Sequence, residues 1–199
     1  MHIIFIITAY KEKMDNIFRI YKEGEYANQR RISYFGWEGK GIHGFYNYII
    51  GYRKASEVIY EAFISAGEED RIDIQDTIGF PLCFNYRQCI ELYLKYFFVK
   101  YGVKEEIEFE RFLGKVGHSL IKAWKKVKPI LYHMLQYQNI SDGNLCIIDK
   151  YIEEWHNFDV TSMRMRYPIT KFGDAMNSNS VRLDIVNLKE KIGAVKKLP

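Results

Sequence analysis

Proline and cysteine are scarce in this chain, and each scarcity excludes something. There are 4 prolines among 199 residues, and together with 14 glycines they leave little material for long flexible linkers. A chain of this length buries one substantial core, so a single domain over residues 1–199 is expected. The 3 cysteines are Cys83, Cys89 and Cys146. Their odd count and the lack of paired Cys/His spacing argue against a zinc site or a disulfide scaffold. That points by default to a reducing cytoplasm, with no metal or cofactor implied. Long apolar runs are missing too. His2-Ile3-Ile4-Phe5-Ile6-Ile7 is too short for a signal sequence and has no basic residues before it. No stretch approaches the roughly 20 apolar residues of a membrane helix, so no membrane partner is expected. Residues 1–40 read as an N-terminal arm, its apolar start either a short strand or a segment docked on the core.

What is present is hydrophobic and aromatic. Hydrophobic residues make up 48% and aromatics 16%, a composition incompatible with disorder. The net charge of +4 permits a nucleic-acid partner without requiring one. Charge is unevenly spread. Glu105, Glu106, Glu108 and Glu110 form an acidic stretch, after which Arg111 to Ser141 contains no Asp or Glu and carries Lys122, Lys125 and Lys126.

Apolar spacing predicts an all-α fold, a single bundle of about five helices over 42–197. Phe45, Tyr48, Tyr52, Ala55, Ile59 and Ala62 recur at steps of three and four and predict a helix over 42–65, with a solvated loop from Gly67 to about Asp76. Residues 80–101 are apolar on nearly every side, as in a helix at the centre of a bundle, with Pro81 in its first turn and Gly102 at its stop. Leu120, Trp124, Val127, Leu131 and Met134 seed a helix over 118–136, which Pro129 should kink or interrupt. Leu145, Ile148, Ile152 and Trp155 seed a fourth helix. Val181, Ile185, Leu188, Ile192 and Val195 seed the last.

A single polar stripe crosses the apolar helix. Arg87, Glu91 and Lys95 stand four residues apart and share one face. Read plainly, this is a solvated stripe with a favourable Glu–Lys pair. Read as a site, charges on a mostly buried helix must face water, a cleft or a partner. Burial would raise the Glu91 pKa, or Arg87 would hold it ionised. His118 follows Gly117 at a helix start and is either structural or a general base near pH 7. Gly117 and the helix N-terminus offer N–H groups to an anion. Asp159 to Pro168 is a second polar cluster. Ser162 or Asp159 caps a turn there, while Arg164 and Arg166 are either solvated or available to phosphate or to carboxylates such as Glu91.

Three segments in order carry a resemblance. They are Phe84-Asn-Tyr-Arg-Gln-Cys-Ile-Glu-Leu-Tyr-Leu-Lys95, then Gly117-His-Ser-Leu120 with Trp124, then Ser162-Met-Arg-Met-Arg-Tyr-Pro168. The pattern resembles that of bacterial HEPN-like helical proteins over roughly residues 45–195. The resemblance implies a helical bundle, often a homodimer. It further implies a metal-independent RNase or an RNA- or nucleotide-binding module of toxin–antitoxin or phage-defence type, with a cognate protein partner. Other members only scaffold partners. On this pattern Arg87, Glu91, His118 and Arg166 would be catalytic, and Lys95, Lys122, Lys125, Lys126 and Arg164 would contact nucleic acid or an anion. The sequence departs from the pattern at two places. Gln88 stands where the pattern has histidine, and Phe112 stands where RNase members place a polar residue between the arginine and the histidine, here Arg111 and His118.

Overall fold

In the computed structural model the described residues are 33, 42–102, 106–137, 143–177 and 181–195. The N-terminal arm, read as a strand or a docked segment, lies outside them. The described residues hold six helices: α1 Ile42–Glu68, α2 Ile72–Gly102, α3 Glu106–Val116, α4 Leu120–Tyr137, α5 Gly143–Phe158 and α6 Ile185–Val195. The one sheet-like contact among them is an isolated antiparallel bridge between Ile169 and Ala175. The all-α expectation therefore holds for these residues, and all six helices lie within the compact unit Glu38–Pro199. No helix of the described residues is long and apolar enough to cross a membrane.

α2 is the central element, packing on α1 and on α4, as its nearly all-round apolar surface requires. It begins earlier than the sequence suggests. The expected loop of 67–76 is a tight reversal in which Arg71 N–H donates to the Ala66 carbonyl at 2.7 Å and Asp70 takes a left-handed φ of 54°. Asp occupies the position where glycine usually ends a helix. Pro81 consequently lies inside α2 and not in its first turn. It faces outward, so the carbonyl it leaves unbonded four residues earlier belongs to the exposed Thr77. Pro129 likewise sits on the exposed side of α4, which runs through it uninterrupted.

The core gathers Leu82, Leu120, Val127, Leu131, Leu135 and Ile152, with Leu82 and Leu120 fully buried. The predicted apolar seam of α5 is buried throughout; that of α4 ends on Leu135 in place of the half-buried Met134. The face expected for α1 is met in part: Ile59 packs against the core, and Phe45 and Tyr52 meet Phe109 and Phe84 edge-on. Tyr48 and Ala62 are exposed, while Ile49, Ser56 and Ala66 are buried, a narrower seam that includes two small residues. α3 was hidden by its acidic start, although carboxylates suit a helix N-terminus. It docks through Phe112, whose ring stacks on Phe98 of α2 at 3.9 Å. α6 starts at Ile185 and leaves Val181 exposed, because Asp184 caps it by accepting the Asn187 N–H at 2.9 Å.

Between α3 and α4 the chain turns in three residues. Gly117 takes φ 51° and donates to the Leu113 carbonyl at 3.0 Å, closing α3. The Ser119 hydroxyl then accepts the Lys122 N–H at 3.4 Å, opening α4. His118 is suspended between these two caps. Two glycines of this region should respond oppositely to alanine. Gly114 is exposed within α3 with nothing within 4 Å of an added Cβ, so Gly114→Ala should stabilise by about 0.5–1 kcal/mol. Gly117 has equal space but a left-handed backbone, so Gly117→Ala should cost about 1–2 kcal/mol. Urea unfolding reads both, and shifts of the same sign would contradict the assigned turn.

Candidate functional site

The polar stripe of α2 does not face water. Arg87 is 0% exposed and Glu91 1%. A buried guanidinium needs acceptors around its whole fork, and here they come from three parts of the chain. Arg87 Nη1 donates to Glu91 Oε2 at 3.1 Å, one turn along α2. Nη2 donates to the His118 carbonyl at 2.8 Å, in the α3–α4 turn. Nε donates to the Asp159 carbonyl at 3.2 Å, just past α5. The Asp159 carboxylate adds charge, its Oδ2 lying 3.7 Å from Nε.

Asp159 is held in turn by its own cap. Its Oδ1 accepts the N–H groups of Met163 and Arg164 at 3.0 and 3.2 Å. The reading of Asp159 as a turn cap is met. The turn also bends buried Ser162 to φ 64°, which is uncommon for a residue with a Cβ.

The other end of the Glu91 carboxylate serves two more groups. Oε1 accepts from Lys95 Nζ at 2.7 Å and lies 3.0 Å from His118 Nδ1. Burial would push the Glu91 carboxyl up, but the Lys95 ammonium and the His118 ring outweigh it and hold it below the usual carboxylate range. An ionised carboxylate only accepts, so His118 Nδ1 carries the shared proton. The His118 side chain is 61% exposed. A buried, charged carboxylate thus fixes one nitrogen of an imidazole whose other nitrogen is left toward solvent.

The structure therefore joins Arg87, Glu91, Lys95 and His118 directly and leaves the two turn arginines on separate contacts. Arg166 is exposed and donates to the Ser162 carbonyl at 2.7 Å. Its guanidinium stacks over Phe84, one turn before Arg87 on the same face of α2, at 5.4 Å. Arg164 donates to the Phe158 carbonyl at 2.8 Å and to Asn177 at 2.6 Å, locking the turn. Neither is paired with Glu91, contrary to one of the alternatives open in the sequence. Lys122, Lys125 and Lys126 are exposed on α4. No His/Cys/Asp/Glu group suited to a metal ion occurs among the described residues. Cys83 is buried, which pushes its thiol up to about 12, so it acts as a small apolar side chain.

The member that sequence reasoning undervalued is Asp159, together with the backbone carbonyl of His118. A carbonyl acceptor has no side-chain signature, so only the buried arginine hinted that such partners exist. Comparison with family models, curated proteins and solved structures finds no match to this chain.

A pH test follows from the lowered Glu91 pKa. A carboxyl depressed in the folded state stabilises fully above its unfolded value, near 4.5, and loses that contribution as pH falls through the folded value. The stability difference between the wild type and Glu91→Gln should be flat above this point and should narrow below it. A difference that widens in acid would contradict an ionised Glu91.

Proposed function

We propose that this chain is a HEPN-like protein that cleaves RNA as a metal-independent endoribonuclease, with His118 as the proton-transfer group. The observation that carries the reading is the exposed imidazole held at Nδ1, 3.0 Å from a buried carboxylate. Such an arrangement fixes tautomer and orientation, the two things a general base needs. In the proposed reaction, His118 Nε2 takes the proton of a ribose 2′-hydroxyl. The 2′-oxygen forms a bond to the adjacent phosphorus, the bond to the 5′-oxygen breaks, that leaving oxygen takes a proton from solvent water, and His118 returns its proton to solvent. The products are a 2′,3′-cyclic phosphate and a 5′-hydroxyl.

Charge stabilisation in this reading comes from exposed cations. Arg166 lies over Phe84 on the same face of α2 as Arg87, while Lys122 belongs to the first turn of α4, just after His118. Lys125 and Lys126 extend the basic surface along the backbone of the substrate. Arg87 has no access to a phosphate, so its place is that of a positioning residue that fixes Glu91 and the His118 backbone. A homodimer and a cognate protein partner belong to the same reading.

A second reading has its own support. Arg87 is fully buried and bonds α2, the His118 turn and the Asp159 turn. A network of this kind also serves a non-catalytic interaction module, in which the polar cluster only holds the fold.

One comparison separates the two. His118→Ala removes a mostly exposed ring and should leave the protein folded. It should lower RNA cleavage in EDTA by about 10²–10⁴-fold on the first reading. Arg87→Ala removes the donors to Glu91 Oε2 and two carbonyls and the charge beside buried Asp159, and should cost about 3–5 kcal/mol, visible as early thermal unfolding, on either reading. Undiminished cleavage by folded His118→Ala, or no cleavage by the wild type, would leave the interaction module as the better account.

A further inference from the structure

The turn after α5 does more than supply the Asp159 carbonyl to Arg87. Asp159 Oδ1 fixes its start by accepting the Met163 N–H. The N–H groups of Arg166 and Tyr167 both donate to the Met163 carbonyl at 3.0 Å and fix its end. Beyond Pro168 the chain folds into a short hairpin. The Met176 N–H donates to the Pro168 carbonyl at 2.9 Å and the Thr170 N–H to the Asp174 carbonyl at 2.8 Å, with Gly173 at φ 90° in the reversal.

This ordered segment carries exposed rings and cations in pairs. The Arg166 guanidinium stands 5.8 Å from the Tyr167 ring centre, and Tyr167 is 49% exposed. At the hairpin tip Lys171 Nζ stands 4.9 Å over the Phe172 ring, and Phe172 is 80% exposed. Arg166 Nε and Nη2 bond to the Ser162 carbonyl and the Met163 sulfur, and Nη1 has no partner among the described residues. From Arg164 to Met176 the one carboxylate is Asp174, against Arg164, Arg166 and Lys171. Exposed rings beside cations suit an unpaired nucleic-acid strand, whose bases stack on the rings while its phosphates meet the charges. A duplex presents the same phosphates but keeps its bases stacked inside, away from the rings.

The segment is also placed along the face that carries the dyad. His118 stands at Glu91, and the Arg166 guanidinium stands 5.4 Å over Phe84. Phe84 and Glu91 are two turns apart on one face of α2, a separation of roughly 10 Å. A strand lying on this face runs from the imidazole to the Arg166 turn within a few nucleotides.

We propose that Arg166, Tyr167 and the hairpin tip hold single-stranded RNA beside the scissile bond, with bases on Tyr167 and Phe172 and phosphates on Arg166 and Lys171. The inference rests on the RNA-directed reading of the His118 site and names its substrate class as unpaired RNA.

Binding is read apart from cleavage with 2′-O-methyl RNA, which lacks the hydroxyl that the reaction consumes. In EDTA, fluorescence anisotropy with the full-length chain should show a short, labelled, non-self-complementary 2′-O-methyl strand bound about tenfold or more tightly than its duplex. Tyr167→Ala/Phe172→Ala should weaken single-strand binding by about tenfold or more and leave duplex binding unchanged. Arg166→Gln should weaken it as well and lower the salt slope by about 0.7. Circular dichroism should show both variants folded, since the three side chains are exposed. Equal affinity for strand and duplex, or strand binding that the ring variant leaves unchanged, would overturn the proposal. Ring-dependent binding of the 2′-O-methyl strand without cleavage of the matching RNA would uphold it and count against the nuclease reading alone.

Discussion

A guanidinium sealed from solvent must find all its acceptors inside the protein, and the arrangement around Arg87 is the consequence. Its three nitrogens reach a carboxylate on its own helix and carbonyls on two separate turns. Those turns follow α3 and α5, helices that also contribute Val116 and Trp155 to the same core as α2. Removing the arginine would leave Glu91 Oε2 and two carbonyls without their donor and the buried Asp159 carboxylate without its neighbouring charge, a far larger penalty than the loss of a surface pair. The network thus sets the position of His118 through its backbone, while Glu91 sets the orientation of its ring.

The chemistry at the surface depends on this buried arrangement. Glu91 distributes its two oxygens between a structural task and an exposed one. Oε2 meets Arg87, and Oε1 meets Lys95 and His118. Lys95 keeps the carboxylate ionised against the cost of burial, and the ionised carboxylate then dictates which imidazole nitrogen holds a proton. Structural and functional readings of the cluster are therefore not rivals at the level of Arg87. They diverge only at His118, the one member of the dyad that is open to solvent.

Much of this was legible in the sequence, within physical limits. The four-residue spacing of Arg87, Glu91 and Lys95 put them on one face, and the apolar residues around them marked that face as unusual. Gly117 and His118 stood out because glycine ends helices. What could not be read was that the face is covered. The covering groups are the carbonyls of His118 and Asp159, which belong to no residue type. Pro81 misled because its usual place is a first turn, whereas a solvent-facing proline costs a long helix only one exposed carbonyl. α3 was obscured by an acidic start that a helix dipole in fact favours. On α1 the half-buried Ile59 was legible, whereas full burial falls on Ile49, Ser56 and Ala66, two of which carry little apolar signal.

The central claim is that an ionised, buried Glu91 holds the His118 ring by Nδ1. Nitrogen-15 NMR of the imidazole reads this directly, because the two ring nitrogens give distinct signals when protonated. The account predicts that neutral His118 is protonated at Nδ1 with Nε2 free, and that Glu91→Gln weakens this preference. Neutral His118 protonated at Nε2 in the wild type would contradict it.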